Sequence, residues 1–178
     1  MTLRPSRNHR SRLGADDKLR AFYQMPGHLI RRSKQKSTAT FMDAFAQLDV
    51  TPIQYAVLHI LQISPALDRA ELCELVGLDN STVGGVLARL KNRRLLVQYV
   101  EGRRHLITST PAARALLARM SKIMPEVQAA ILHPLTARER QQLIRLLSKL
   151  VGVNRRYWRH PPYRLHKRAL ALTKINAR

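Results

Sequence analysis

Between Asp79 and Arg94 the chain reads DNSTVGGVLARLKNRR, and its side chains are sorted by chemistry along that stretch. Asn80, Ser81 and Thr82 put amide and hydroxyl groups at the start, Gly84 and Gly85 follow, and Arg89, Lys91, Arg93 and Arg94 close it. No nucleophile is paired with a base here, and no two carboxylates face each other. Short polar groups followed by cations suit the recognition of a polyanion: hydroxyls and amides for base edges or phosphate oxygens, guanidinium and ammonium groups for phosphates. A second cationic pair, Arg103 and Arg104, comes after Glu101 and Gly102.

These residues need elements to hold them. Asp79 or Asn80 can cap a helix in which Val83, Val86, Leu87 and Leu90 fall at i, i+3, i+4 and i+7, one buried stripe. Gly84 and Gly85 lie off it with Ser81, Thr82, Ala88 and Arg89. Each glycine costs roughly 1 kcal/mol against alanine inside a helix. Either the bare face lets a large partner approach the backbone, or the pair is a tolerated packing feature. Upstream, Thr51 and Pro52 open a helix with Ile53, Val57, Leu58, Ile60 and Leu61 as its apolar residues, ended by Ser64 and Pro65. Asp68 and Glu71 form a capping box for the short helix RAELCELVG, and Gly77 closes it. Two helices joined by GLDN make a helix-turn-helix.

Downstream, LLVQYV and RHLIT are β-prone runs around a turn near Gly102, a hairpin placed as a wing. Arginines on such a wing reach a narrow minor groove or phosphates, or else sit on a merely solvated hairpin. Leu29 to Leu48 reads as a long first helix entered at Pro26 and Gly27. Pro111 opens another, which Pro125 should kink or split. Thr136 with Glu139 starts a last helix to Val151, with Leu143, Leu146, Leu147 and Leu150 as its stripe. The expected fold is mainly α: a winged helix-turn-helix with a small β-hairpin wing and a helical dimerisation region.

Charge narrows the partner. Of 178 residues, 32 are Lys or Arg and 11 Asp or Glu, a formal net charge of +21. A polyanion, most often nucleic acid, is implied. A membrane surface competes, but no run approaches the 18 or so apolar residues of a spanning helix. MTLRPSRNHRSRLG has no apolar signal core, so a cytoplasmic location is expected. Residues 1–20 read as a basic, flexible arm and 152–178 as a basic tail that resumes as a short helix in RLHKRALALTKI. The tail is either solvated or an electrostatic reinforcement. Residues 21–151 form the body, with 51–110 as the winged unit and 21–50 and 111–151 as helical flanks.

Three stretches, LDVTPIQYAVLHIL (48–61), LDNSTVGGVLARLKNRRLLV (78–97) and EGRRHLITSTPAA (101–113), together resemble the MarR-type winged-helix transcription regulators. TVGG, and MPGHLIRRSKQ at 25–35, resemble the subset associated with aromatic-compound catabolism. The resemblance implies a homodimer, held by its first and last two helices, that sets two recognition helices in successive major grooves of a pseudo-palindromic site on double-stranded DNA. The residues implied to contact DNA are Asn80, Ser81, Thr82, Gly84, Gly85, Arg89, Lys91, Arg93, Arg94, Arg103 and Arg104, although Arg89 equally suits a bond within the protein. Three positions depart from the family pattern. Gly102 stands before the two wing arginines where Asp is usual, in a hairpin a few residues short. Ala88 replaces a common Asp, and Ala113 a common Gly.

Such regulators respond to small molecules, and the family's pocket for small aromatic anions lies between the dimer helices and the winged domain. Tyr23, His28, Arg31, Arg32 and Tyr55 have the chemistry to hold an aromatic acid or its CoA thioester; their ordinary reading is a solvated basic stretch with Tyr55 in the core. Cys73 sits beside Leu72 and Val76 as a small core residue rather than a peroxide sensor. The histidines, His9, His28, His59, His105, His133, His160 and His166, lack ligand spacing, so neither a structural metal nor a cofactor is expected. Scattered acids and the lack of a phosphate loop exclude an enzyme. The expected function is a sequence-specific transcription repressor released by an effector. The alternative is a nonspecific nucleoid or RNA-binding winged helix, with few aromatics for stacking RNA bases.

Overall fold

Each of the last five helices begins on a side chain that accepts a hydrogen bond from its own first turn. In the computed structural model, which describes residues 16–152, these are α3 (Pro52–Ile63), α4 (Arg69–Val76), α5 (Asn80–Asn92), α6 (Pro111–Ile131) and α7 (Ala137–Val151), capped by Thr51, Asp68, Asp79, Thr110 and Thr136. In α3, α4 and α7 the cap is a reciprocal box, closed by Gln54, Glu71 and Glu139. Such a cap stabilises a helix by about 1 kcal/mol, enough to decide where it starts. Before them come a helical segment over 16–23, labelled α1, and α2 (Pro26–Ala44), followed by a 3₁₀ turn at Ala46–Leu48 that ends on left-handed Asp49. The first long helix therefore starts earlier than expected, with Pro26 itself in its first turn, and stops before Leu48. The basic arm is helical from residue 16; the rest of the arm, and the basic tail after Gly152 with its expected helix, lie outside the described residues.

The described residues up to Thr40 and those from Phe41 onward form two compact units. In the second, Val57, Leu58 and Leu61 of α3, Leu72 of α4 and Val83, Val86, Leu87 and Leu90 of α5 pack into one core with Leu95, Leu96, Ile107 and Leu117. The apolar stripe read from α5 is the buried one. A smaller core joins Phe41, Phe45 and Val50 to Met120 and Val127 of α6.

The end of α5 aims the chain into the hairpin. Arg94, at φ 57°, takes the left-handed position, its N–H donating to the Lys91 carbonyl while that of Leu95 donates to Leu90. That is the Schellman pattern, with arginine where glycine is usual. Strand β1 (Leu96–Glu101) then pairs antiparallel with β2 (Arg104–Ser109), from Leu96 opposite Ser109 to Glu101 opposite Arg104. Two residues remain for the turn. Gly102 supplies the positive φ, 61°, that a two-residue hairpin favours at its first position. Leu67 adds a short antiparallel bridge to Ile107, which ties the hairpin to the segment before α4.

Proline in α6 does not split it. An interior proline costs about 3 kcal/mol, yet Leu117 and Met120 before Pro125 and Val127 after it are buried, each contributing about 1.5–3 kcal/mol. Packing on both sides outweighs the local penalty. Helix α7 behaves oppositely: amphipathic in sequence, it buries no residue, and Ile144, Leu146, Leu147 and Leu150 stand 43–66% exposed.

Candidate nucleic-acid interface

With its stripe in the core, α5 turns Asn80, Ser81, Thr82, Gly85, Ala88, Arg89 and Lys91 outward. Its start is rigidly held. Asp79 accepts from the Thr82 backbone N–H at 2.8 Å and, through its other oxygen, from the Thr82 hydroxyl at 2.6 Å. The hydroxyl bond, followed by the backbone one, holds the Asp79 carboxyl below its ordinary range. Thr82 has thus spent its hydroxyl proton within the protein, and its oxygen faces outward as an acceptor only. Asn80 and Ser81 make no side-chain hydrogen bond among the described residues, so both keep donor and acceptor for a partner.

The two glycines have different surroundings. A β-carbon on Gly85 would meet only the end of Arg89, at 3.7 Å, an ordinary contact on an open surface. A β-carbon on Gly84 would overlap the guanidinium of Arg69, whose central carbon would be 3.1 Å away. Gly84 is the floor of a notch in which an arginine from α4 lies across α5. Reading along the chain missed Arg69, because the helix signal names it only as the first residue after a cap. The glycine beneath it, fifteen positions on, is the one trace it leaves in the sequence.

Among the cations that close α5, one turns inward. Arg93 donates to the carbonyls of Asp49 and, at 3.1 Å, Leu48, and its guanidinium lies 3.7 Å from the Asp49 carboxylate. It fastens α5 to the turn after α2 and is spent as a phosphate ligand in this geometry. Arg89, Lys91 and Arg94 are exposed, with no side-chain hydrogen bond or ion pair among the described residues. For Arg89 this favours an external partner over a bond within the protein.

The wing arginines also part company. Arg103 occupies the turn itself, exposed and unpaired among the described residues. Arg104 reaches back from β2 to α4, where one nitrogen lies 2.7 Å from both the Asp68 and the Glu71 carboxylates. Those carboxylates are the two halves of the α4 capping box, so one guanidinium locks the hairpin to the helix-turn-helix. The hydrogen bond to Asp68 and the charge of Glu71 raise its already high pKa further. Sequence reasoning treated Arg103 and Arg104 as equivalent; the structure leaves the first exposed and uses the second to hold the wing.

The effector candidates fall in both units. In the first, His28 of α2 packs between Phe22 and Tyr23, ring centres 4.4 and 5.5 Å away. Its Nε2 is buried and has no hydrogen-bond partner among the described residues. Arg31 and Arg32 follow on the same helix, exposed. Tyr55, in the second unit, stacks on His59 at 5.4 Å and leans on Phe41, and burial pushes its hydroxyl pKa up. Cys73 packs against the winged core, as expected of a small apolar residue. Among the described residues no helix is long and apolar enough to cross a membrane, and no three His, Cys, Asp or Glu side chains cluster as metal ligands.

Residues 48–105, from the turn after α2 to the start of β2, match the model of the MarR family. The transcriptional repressor NicR of Pseudomonas putida is 29% identical over 128 residues, 70% of this chain and 81% of NicR. Among solved structures, BpsR of Bordetella bronchiseptica, whose DNA binding is regulated by 6-hydroxynicotinic acid, superposes with a TM-score of 0.69 at 31% identity, covering 74% of this chain and 96% of BpsR. PcaV of Streptomyces coelicolor, solved with its natural ligand, gives 0.65 at 31% identity, over 72% and 93% of the two chains.

Proposed function

From the premise that the chain belongs to the MarR family of transcriptional regulators, we propose that it is a homodimeric repressor that binds a pseudo-palindromic operator and is released by a small aromatic acid or its CoA thioester. The observation that carries the DNA-binding half is the surface of α5. Its stripe is fully engaged in the core, while Asn80 and Ser81 at its head and Arg89 and Lys91 further along face outward unpaired. A helix so oriented presents its N-terminal turn to base edges and its cations to phosphates, as the second helix of a helix-turn-helix does. Gly85 leaves the backbone open between the two groups. Arg94 adds a phosphate contact at the helix end, and Arg103 reaches the neighbouring minor groove.

The apolar face of α7 supports the homodimer. Leucines half-exposed in a single chain are covered when two copies meet, and a stable interface needs such a patch. His28 supports the sensing half. An imidazole nitrogen that is buried with no hydrogen-bond partner among the described residues, followed by exposed Arg31 and Arg32, suits a carboxylate by hydrogen bond and charge, and the exposed sides of Phe22 and Tyr23 beside it suit an aromatic body. BpsR and PcaV, each 31% identical, are ligand-regulated or ligand-bound relatives, which points to the same class of effector.

Release requires the effector to favour a spacing of the two recognition helices that mismatches successive major grooves, roughly 34–36 Å apart. The test is titration of the operator complex with 6-hydroxynicotinate, benzoate, hydroxycinnamate and their CoA thioesters. At least one should raise the operator Kd about tenfold or more, a coupling above roughly 1.4 kcal/mol. An operator Kd unmoved by every one of them at saturation would overturn the proposed effector class.

A further inference from the structure

We propose that Arg69, the first residue of α4, is a phosphate-binding residue of the DNA-contacting face, seated on α5 because Gly84 has no side chain. This inference rests on the DNA-binding reading above. The guanidinium lies over Gly84, between the polar head of α5 and its cationic end. Its chemistry is that of a free cation. Asp68, the cap just before it, and Glu71, two residues on, both accept from Arg104, and Arg69 itself makes no hydrogen bond or ion pair among the described residues. The carboxylates beside Arg69 are thus engaged by another arginine.

The placement suits a backbone contact. In a helix-turn-helix the first helix crosses the DNA backbone while the second enters the groove. A cation that starts in the first and lies on the second belongs where the strand passes between them. Its planar fork matches phosphate oxygens bidentately. The glycine pair then has two separate reasons: Gly85 keeps the surface low, and Gly84 seats an arginine. A methyl group at Gly84 meets only the far end of a flexible side chain, so Gly84→Ala leaves the fold intact and displaces the guanidinium.

Four full-length proteins settle the matter: wild type, Arg69→Gln, Gly84→Ala and the double variant, each checked for folding by circular dichroism and titrated against duplex DNA over a range of salt. Arg69→Gln should weaken binding about tenfold and reduce the slope of log K against log salt by about 0.9 per protomer. Gly84→Ala should weaken binding in the same direction, and the double variant should be no weaker than Arg69→Gln alone. An unchanged salt slope in Arg69→Gln overturns the proposal, because a merely structural role leaves that slope as it is while loss of a phosphate contact must change it. A Gly84→Ala loss that persists undiminished in the Arg69→Gln background also overturns it, since Gly84 would then serve the DNA backbone directly. If wild type shows no preference for any duplex, the repressor reading fails, yet the slopes on that duplex still decide the role of Arg69.

Discussion

Asp68 combines two functions in one carboxylate. One oxygen accepts from the Glu71 backbone N–H at 2.9 Å and caps α4; the other accepts from Arg104 at 2.7 Å and holds the wing. The backbone bond from Glu71 first, then the bond from Arg104, keep its carboxyl below the ordinary 3.8. A folded pKa lowered in this way stabilises the protein above the unfolded value, and the contribution is lost as pH falls through the folded one. Asp68→Asn keeps a competent cap but loses the charge opposite Arg104. At pH 7 it should cost below about 1 kcal/mol, because the pair is largely solvated. In thermal melts across pH, the gap to wild type should close below about pH 4; a gap constant from pH 7 to pH 3 would mean that the charge of Asp68 contributes nothing. Little of this was visible in the sequence. The capping box is a local signal, four residues long, and reads directly; the partner of its carboxylates stands 33 and 36 positions away, and no local pattern announces it. Arg93 and Arg104 are basic residues beside other basic residues, and only the folded chain separates those turned inward from those left outside.

Helices and strands were more legible than contacts between them, because their signals are short-range. Thr51, Asp68, Pro111 and Thr136 each mark a start that the structure keeps, and Gly102 marks the hairpin turn. Two local signals misled. Pro125 points to a kink or a split, and packing on both sides of α6 prevents the split; the basic composition of residues 1–20 hides the helical segment over 16–23. Helix α7 is the case in which sequence and single chain disagree most usefully: Leu143, Leu146, Leu147 and Leu150 form a stripe, yet none is buried. If that stripe closes the homodimer, Leu147→Glu with Leu150→Glu should place four charges in the interface of the two copies. The dimer dissociation constant should rise at least 100-fold, given about 1.5–3 kcal/mol for each buried leucine. Sedimentation equilibrium checks this. A double variant that stays dimeric at the wild-type concentration would remove α7 from the interface.

At the scale of the whole molecule, a formal net charge of +21 ensures attraction to any nucleic acid, and so says nothing about selectivity. Selectivity has to come from the few uncharged or precisely placed groups at the head of α5, repeated by symmetry in a second copy. This separates a repressor from a basic architectural protein, and charge cannot decide between them. The most direct test is selection of bound duplexes from a random library at near-physiological salt, followed by titration of the enriched site against a scrambled duplex of equal length. A homodimeric MarR-family repressor should enrich one inverted repeat with half-sites about a helical turn apart and bind it on the order of 10³-fold or more above the scrambled duplex. Tight, steeply salt-dependent binding to every sequence, with no repeat enriched, would contradict sequence-specific regulation.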